Sequence, residues 1–180
     1  MERISKLFSI LAICVVVMAH QIAAQDLNKG KNLINNICQQ SPTKDLCIQV
    51  LSSDSRSTNA DLKDLAIIAL RVAAANASSI LTDAKRLIDD DNLDPDVQQG
   101  LSDCKETILD AGSQLEDSIA SLLEDDDTGA QKWLQAALAA ITTCDDSIPG
   151  SDDVLSVKSV KFRQLCNIAI LITKALPNKA

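Results

Sequence analysis

Residues 94–122 read DPDVQQGLSDCKETILDAGSQLEDSIASL. Val97, Leu101, Cys104, Ile108, Ala111, Leu115, Ile119 and Leu122 recur at three- and four-residue steps without a break. On a helix of about 3.6 residues per turn, that spacing draws one apolar stripe down one side. Asp94 supplies a capping side chain, and Pro95 suits the first helical position. The run Glu124–Gly129 closes the stretch. It predicts a long amphipathic helix that must bury its stripe against others of its kind.

Such partners lie on both sides. Asp61 to Asp89 repeats the spacing with Leu62, Leu65, Ala69, Val72, Ala73, Ile80, Ala84 and Leu87. Ala130 to Thr143 does so with Leu134, Ala137, Leu138 and Ile141. Val154 to Leu176 does so with Phe162, Leu165, Ile168 or Ala169, Ile172 and Leu176. Two shorter patterns precede them, Asp26–Cys38 and Thr43–Ser52, and helices that short need a partner or a staple. Residues 53–59 read as a loop rich in capping side chains. Pro42, Pro95, Pro149 and Pro177 all fall between or beyond these patterns, where proline is tolerated. No segment alternates as a strand does. The expected fold class is all-α: an up-down-up-down four-helix bundle behind an N-terminal, disulfide-closed helical hairpin.

The N-terminus has a different character. Arg3 and Lys6 precede the run Leu7–Ala19, apolar except for Ser9, and small residues follow near Ala23-Ala24. This is the pattern of a secretory signal peptide. The run is too short for a bilayer span, which takes about 20 apolar residues. The expected organisation is a signal peptide at 1–24, a hairpin and loop at 25–60 and the bundle at 61–180, with 25–180 acting as one unit. No later run reads as long and clean enough to span, so no membrane partner is expected after cleavage.

Composition removes several functions. The formal net charge is −8. Cleavage takes away Glu2, Arg3 and Lys6, and so moves it to −9. Such a surface repels phosphate backbones, so nucleic acid is excluded as a partner. Phe8, Trp133 and Phe162 are the only aromatic residues and leave no platform for stacking bases or sugars. The single histidine, His20, leaves with the signal, and His-dependent nucleophilic and metal chemistry leaves with it. The five glycines are scattered and build no phosphate loop. The acidic runs 89–91 and 124–127 lack the spaced oxygens and glycine turn of a calcium loop, so they read as solvated links. No cofactor and no metal are expected, and no enzymatic activity.

Five cysteines remain after cleavage: Cys38, Cys47, Cys104, Cys144 and Cys166. In an oxidising compartment an even subset pairs, and four cysteines allow three connectivities. Proximity favours Cys38 with Cys47, while Cys104 and Cys144 sit in successive helices that a bridge would staple. Cys166, within an apolar stretch, reads as a buried structural thiol. Asn76-Ala77-Ser78 is a glycosylation sequon on a predicted helix. Trp133, at a helix start, reads as core.

These pieces resemble the plant invertase/pectin methylesterase inhibitor family. The resemblance rests on Ile37-Cys38 with Leu46-Cys47, on 51–57 with its Asp54-Ser55-Arg56-Ser57, and on Asp61–Ala66. It continues through Leu101–Cys104, Trp133–Leu138, Thr143–Asp146 and Leu165–Ile168. It implies a four-helix bundle behind a helical hairpin, disulfides Cys38–Cys47 and Cys104–Cys144, and a free thiol at Cys166. It also implies a secreted inhibitor in the apoplast, or alternatively the vacuole, binding its enzyme one to one as a monomer. Invertase inhibitors of this family typically place Pro-Lys-Phe in the turn after the second long helix. Here that turn reads Asp126-Asp127-Thr128-Gly129-Ala130-Gln131. The resemblance therefore leans to pectin methylesterase as the partner, with invertase the alternative. In that branch Glu106, Asp110 and Thr143 match partner-binding positions, and Glu106 and Asp110 are four apart on one helix face. A target-less storage or allergen-like protein is the competing class. A lipid carrier is disfavoured by an alanine-rich, close-packed core.

Overall fold

The structure, a computed structural model, describes residues 29–150 and 155–177, and three of its four long helices begin at an aspartate. Helix α3 (Leu62–Ile88) starts at a capping box: Asp61 accepts from the Asp64 amide at 2.9 Å, and Asp64 accepts from the Asp61 amide at 3.3 Å. Helix α4 (Pro95–Leu123) starts at Asp94, which accepts from the Asp96 amide at 2.8 Å, with Pro95 in its first turn. Helix α5 (Asp127–Ser147) starts at Asp126, which accepts from the Gly129 amide at 2.8 Å. Helix α6 (Ser156–Lys174) has no side-chain cap. Ahead of them lie α1 (Gly30–Cys38), α2 (Lys44–Ser52) and a 3₁₀ helix (Ser55–Asn59). Among the described residues there is no strand. The signal peptide at 1–24, the first residues of the expected hairpin at 25–28, and residues 151–154 and 178–180 of the expected bundle, with the helix start at Val154, lie outside the described residues.

Neighbouring long helices run antiparallel. Lys63, at the start of α3, meets Asp125, just past the end of α4, at 2.8 Å. Gln131 at the start of α5 donates to the Thr173 carbonyl at the end of α6. Asp83 and Ser79, late in α3, hold Lys158 at the start of α6. The ring is α3–α4–α5–α6, with α6 closing back on α3, so α4 and α6 sit on a diagonal. Phe162, Leu65, Leu70, Ile80, Leu101, Ile108, Leu115, Leu134 and Ile141 fill the core completely buried. Burial of each such side chain contributes about 1.5–3 kcal/mol. Buried alanines, among them Ala69, Ala73, Ala111 and Ala137, let the helices approach closely.

The disulfides are Cys38–Cys47, which closes the α1–α2 hairpin, and Cys104–Cys144, which ties α4 to α5 with Cα atoms 4.0 Å apart. Cys166 is free and buried, and burial pushes its thiol up to about 12. That makes it an inert core residue rather than a nucleophile.

Three expectations about the helices and loops need correction. The loop at 53–59 contains a 3₁₀ turn, because Asp54 caps it by accepting from the Arg56 amide at 2.9 Å. Helix α5 begins at Asp127 rather than Ala130, because Asp126 caps it and draws part of the acidic run into the helix. By length and composition α3 is apolar enough to cross a membrane, with a mean hydropathy of 1.6 over its most apolar window. Its place in this fold is that of a core helix: Leu65, Ala69, Ala73, Ile80 and Ala84 are buried within the bundle.

Candidate functional site

Among the described residues no deep cleft gathers reactive groups. A cavity of about 330 Å³ at one end is lined by Leu33, Leu62, Lys63, Asp125, Leu176 and Pro177, and its one cation is already paired with Asp125. Among the described residues no three His, Cys, Asp or Glu side chains are gathered as a metal site would require. What distinguishes the molecule is a surface, the outer side of α4 and the adjoining flank of α5.

Two contacts set the register between these helices. Cys104 is bonded to Cys144, and the buried Ser118 hydroxyl donates to the Ala130 carbonyl at 2.9 Å. Gly100 lies against the far end of α5, where a Cβ on it would stand 2.2 Å from the Ser147 carbonyl oxygen. At about 100° per residue, Trp133, Ala136, Ala140 and Thr143 share the flank of α5 that turns toward α4. Gln131 and Asp145 lie on its other flank, where they bond to Thr173 and Arg163 of α6.

Glu106 and Asp110 are both exposed on α4, and Thr143 is exposed on α5 across from them. Thr143 adjoins Cys144, and Glu106 lies two residues from Cys104, so the disulfide sets the three residues singled out from the sequence at the same end of the α4–α5 pair. Lys105 lies 3.2 Å from Glu106 in an exposed pair. The Thr143 hydroxyl donates to the Ala139 carbonyl at 3.2 Å, which holds its side chain against its own helix.

The face is larger than those three residues. Asp96, Asp103, Asp110, Asp117 and Glu124 are all exposed and stand seven apart, so they form an acidic ridge along α4. Seven residues is close to two helical turns, and a search for charge at that period would have found the ridge. Trp133 is 38% exposed, not core as expected. Its position lies about 60° off the buried stripe marked by Ala130, Leu134, Ala137 and Ile141, which is far enough to bring it to the rim. Asn76 lies mid-helix in α3, half-buried, and its side-chain oxygen is buried without a hydrogen-bond partner. The sequon is therefore part of a packed helix and not of a loop.

The link between α4 and α5 is very short. Asp125 adopts a positive φ of 63°, its amide bonds to the Leu122 carbonyl at 3.2 Å, and the Asp126 amide bonds to the Ser121 carbonyl at 2.8 Å. This is the paired hydrogen-bond pattern of a Schellman closure. Asp126 then caps α5 directly. A Cβ on Gly129 would fall 2.0 Å from the Asp126 carboxylate, so any larger residue there must displace the capping side chain from this position. No protruding segment extends between the two helices.

Comparison with known proteins gives one family and two kinds of inhibitor name. The chain matches the plant invertase/pectin methylesterase inhibitor family over residues 32–172. It is 27% identical to a pectinesterase inhibitor of Actinidia deliciosa, over 96% of this chain and 95% of that one. A Platanus acerifolia protein that bears an invertase-inhibitor name is 28% identical over 90% of this chain and 92% of its own. Among solved structures, a mutant form of a pectin methylesterase inhibitor from Arabidopsis superposes with a TM-score of 0.70 at 25% identity, covering 81% of this chain and 98% of that chain.

Proposed function

The chain belongs to the plant invertase/pectin methylesterase inhibitor family, and from that premise we propose that it is a secreted, apoplastic inhibitor of a plant pectin methylesterase. Members of the family inhibit enzymes and are not themselves enzymes. The signal-peptide pattern at 1–24 supports secretion, and the expected complex is one to one. The single observation that carries the choice of target is the closed α4–α5 link. Asp125 and Asp126 leave no turn that could reach into an active site, whereas the broad face beside it is rigid and acidic.

The mechanism is steric. A methylesterase cleft accommodates an anionic polysaccharide, so it presents groups suited to carboxylates. The α4 ridge offers carboxylates on a preformed helix, with Glu106, Asp110 and Thr143 on the contact surface. Docking a preformed helix costs little ordering entropy, which favours tight association. Vacuolar or cell-wall invertase is the second reading, favoured by two Platanus relatives that bear an invertase-inhibitor name, one of them 30% identical over 78% of this chain.

The test is inhibition by the purified mature protein of a plant pectin methylesterase and, separately, of an invertase. Inhibition of the methylesterase alone is expected. Glu106→Lys with Asp110→Lys should weaken it while leaving helicity intact, since a desolvated interface charge is worth about 2–5 kcal/mol and an exposed one under about 0.5 kcal/mol. Inhibition of invertase with none of the methylesterase would overturn the assignment.

A further inference from the structure

We infer that Trp133 is the apolar anchor of the docking face, inserted beside an aromatic or apolar wall of the methylesterase cleft at a point where a sugar ring would otherwise lie. The inference rests on the proposed target and extends it from a charged surface to a specific aromatic contact.

Four observations carry it. Trp133 is the only tryptophan in the chain, and it stands 38% exposed on the α5 flank that turns toward α4. The register set by Cys104–Cys144 and Ser118–Ala130 puts it level with Leu115, between the half-buried Gln114 and the exposed Asp117. The same flank is otherwise small, with Ala136 and Ala140 ahead of Thr143. The indole therefore stands at the rim, part of its ring covered by neighbours and part open above a low surface. Glu106 and Asp117 are eleven residues apart along α4, about 17 Å at about 1.5 Å per residue. Thr143 and Glu106 mark one end of the face, and Trp133 and Asp117 mark the other.

This arrangement suits a polysaccharide cleft. Sugar-binding clefts hold rings between polar groups that read hydroxyls and carboxylates and apolar or aromatic walls that cover the ring face. The inhibitor offers the same pair of features, carboxylates along α4 and one flat apolar ring beside them. Contact residues that dominate binding energy are enriched in tryptophan, because its area is large and only two side-chain torsions are lost on binding. The surrounding charges then exclude wrong partners more than they add affinity.

A single tryptophan makes the test direct. 5-Fluorotryptophan incorporated into the mature protein gives one ¹⁹F resonance that reports Trp133 alone. Adding one equivalent of a plant pectin methylesterase should shift and broaden it and protect it from a soluble paramagnetic quencher. Trp133→Ala should raise the inhibition constant by about 30-fold or more, a loss of about 2 kcal/mol at about 1.4 kcal/mol per tenfold. Trp133→Phe should recover most of that loss. If Trp133→Ala does not fold, the resonance of the parent decides alone. If the parent inhibits but its resonance stays unmoved and unprotected, the anchor is overturned and the proposed function stands. If the parent inhibits no methylesterase, the proposed function falls and the anchor with it.

Discussion

Asp125 ends α4 at a φ of 63°, a backbone region that costs an L-residue about 1–2 kcal/mol and that glycine enters freely. Its carboxylate recovers part of that through Lys63 at 2.8 Å, but both partners are substantially exposed and such a pair is worth about 0–1 kcal/mol. Asp125→Gly should therefore hold or raise the melting temperature, while Asp125→Val, β-branched and unpaired, should lower stability by about 1–2 kcal/mol in thermal unfolding. The two glycines of α4 make a sharper contrast. A Cβ at Gly112 meets nothing within 4 Å, so Gly112→Ala should stabilise by about 0.5–1 kcal/mol through helix propensity alone. A Cβ at Gly100 meets the Ser147 carbonyl at 2.2 Å, so Gly100→Ala must push α4 from α5 and should destabilise in the same assay. Asp54 is the clearest titration. Arg56 bonds to it from the side chain and the backbone, which lowers its carboxyl to about 2. A depressed folded pKa contributes stability that is present above the unfolded value of 3.8 and lost as pH falls through about 2. Carboxyl chemical shifts should place its midpoint near the lower value, and Arg56→Gln should return it toward 3.8.

Among the elements, the disulfides carry unequal weight. Chain-entropy reasoning assigns about 4 kcal/mol to the Cys104–Cys144 bridge, which spans 40 positions, and about 2.6 kcal/mol to the Cys38–Cys47 bridge, which spans nine. Replacing the first pair by alanine should lower the denaturant midpoint more than replacing the second. If the hairpin pair proves the costlier, α1 and α2 hold the bundle together more than their size suggests. The four long helices were legible because their stripes persist over five to eight turns, and Asp61 and Asp94 announce their starts. The 3₁₀ turn was not legible, since five residues hold no period and only the Asp54 cap defines it. The start of α5 was hidden in an acidic run, where one aspartate caps and its neighbours differ only in backbone conformation. Trp133 departs from its sequence reading for a different reason. A residue about 60° off a buried stripe is covered or bare according to its neighbour on the next helix, and one sequence does not record that neighbour. Glu106 and Asp110 could be placed together from their spacing, but Thr143 joins them only through the packing of α5 on α4.

Across the whole molecule, charge is separated by the bundle's diagonal. Helix α4 carries six carboxylates, Asp96, Asp103, Glu106, Asp110, Glu116 and Asp117, against one cation, Lys105. Helix α6 carries Lys158, Lys161, Arg163 and Lys174 and no carboxylate. Because α4 and α6 do not adjoin, the two helical sets stand on opposite sides, and among the described residues the unpaired negative charge gathers on the proposed docking face. Such a field orients an approaching partner before contact, and its reach follows the Debye length, about 30 Å at 0.01 M salt and about 8 Å at 0.15 M. The association rate with a pectin methylesterase should then fall by about tenfold or more over that range in stopped-flow measurements. The dissociation rate, governed by Trp133 and the groups buried with it, should move far less. Glu106→Lys with Asp110→Lys should flatten the salt dependence of association, whereas Trp133→Ala should leave that slope unchanged and speed dissociation. An association rate indifferent to salt in the parent would reduce the ridge to ordinary solvated helix surface, because long-range steering cannot operate without that dependence.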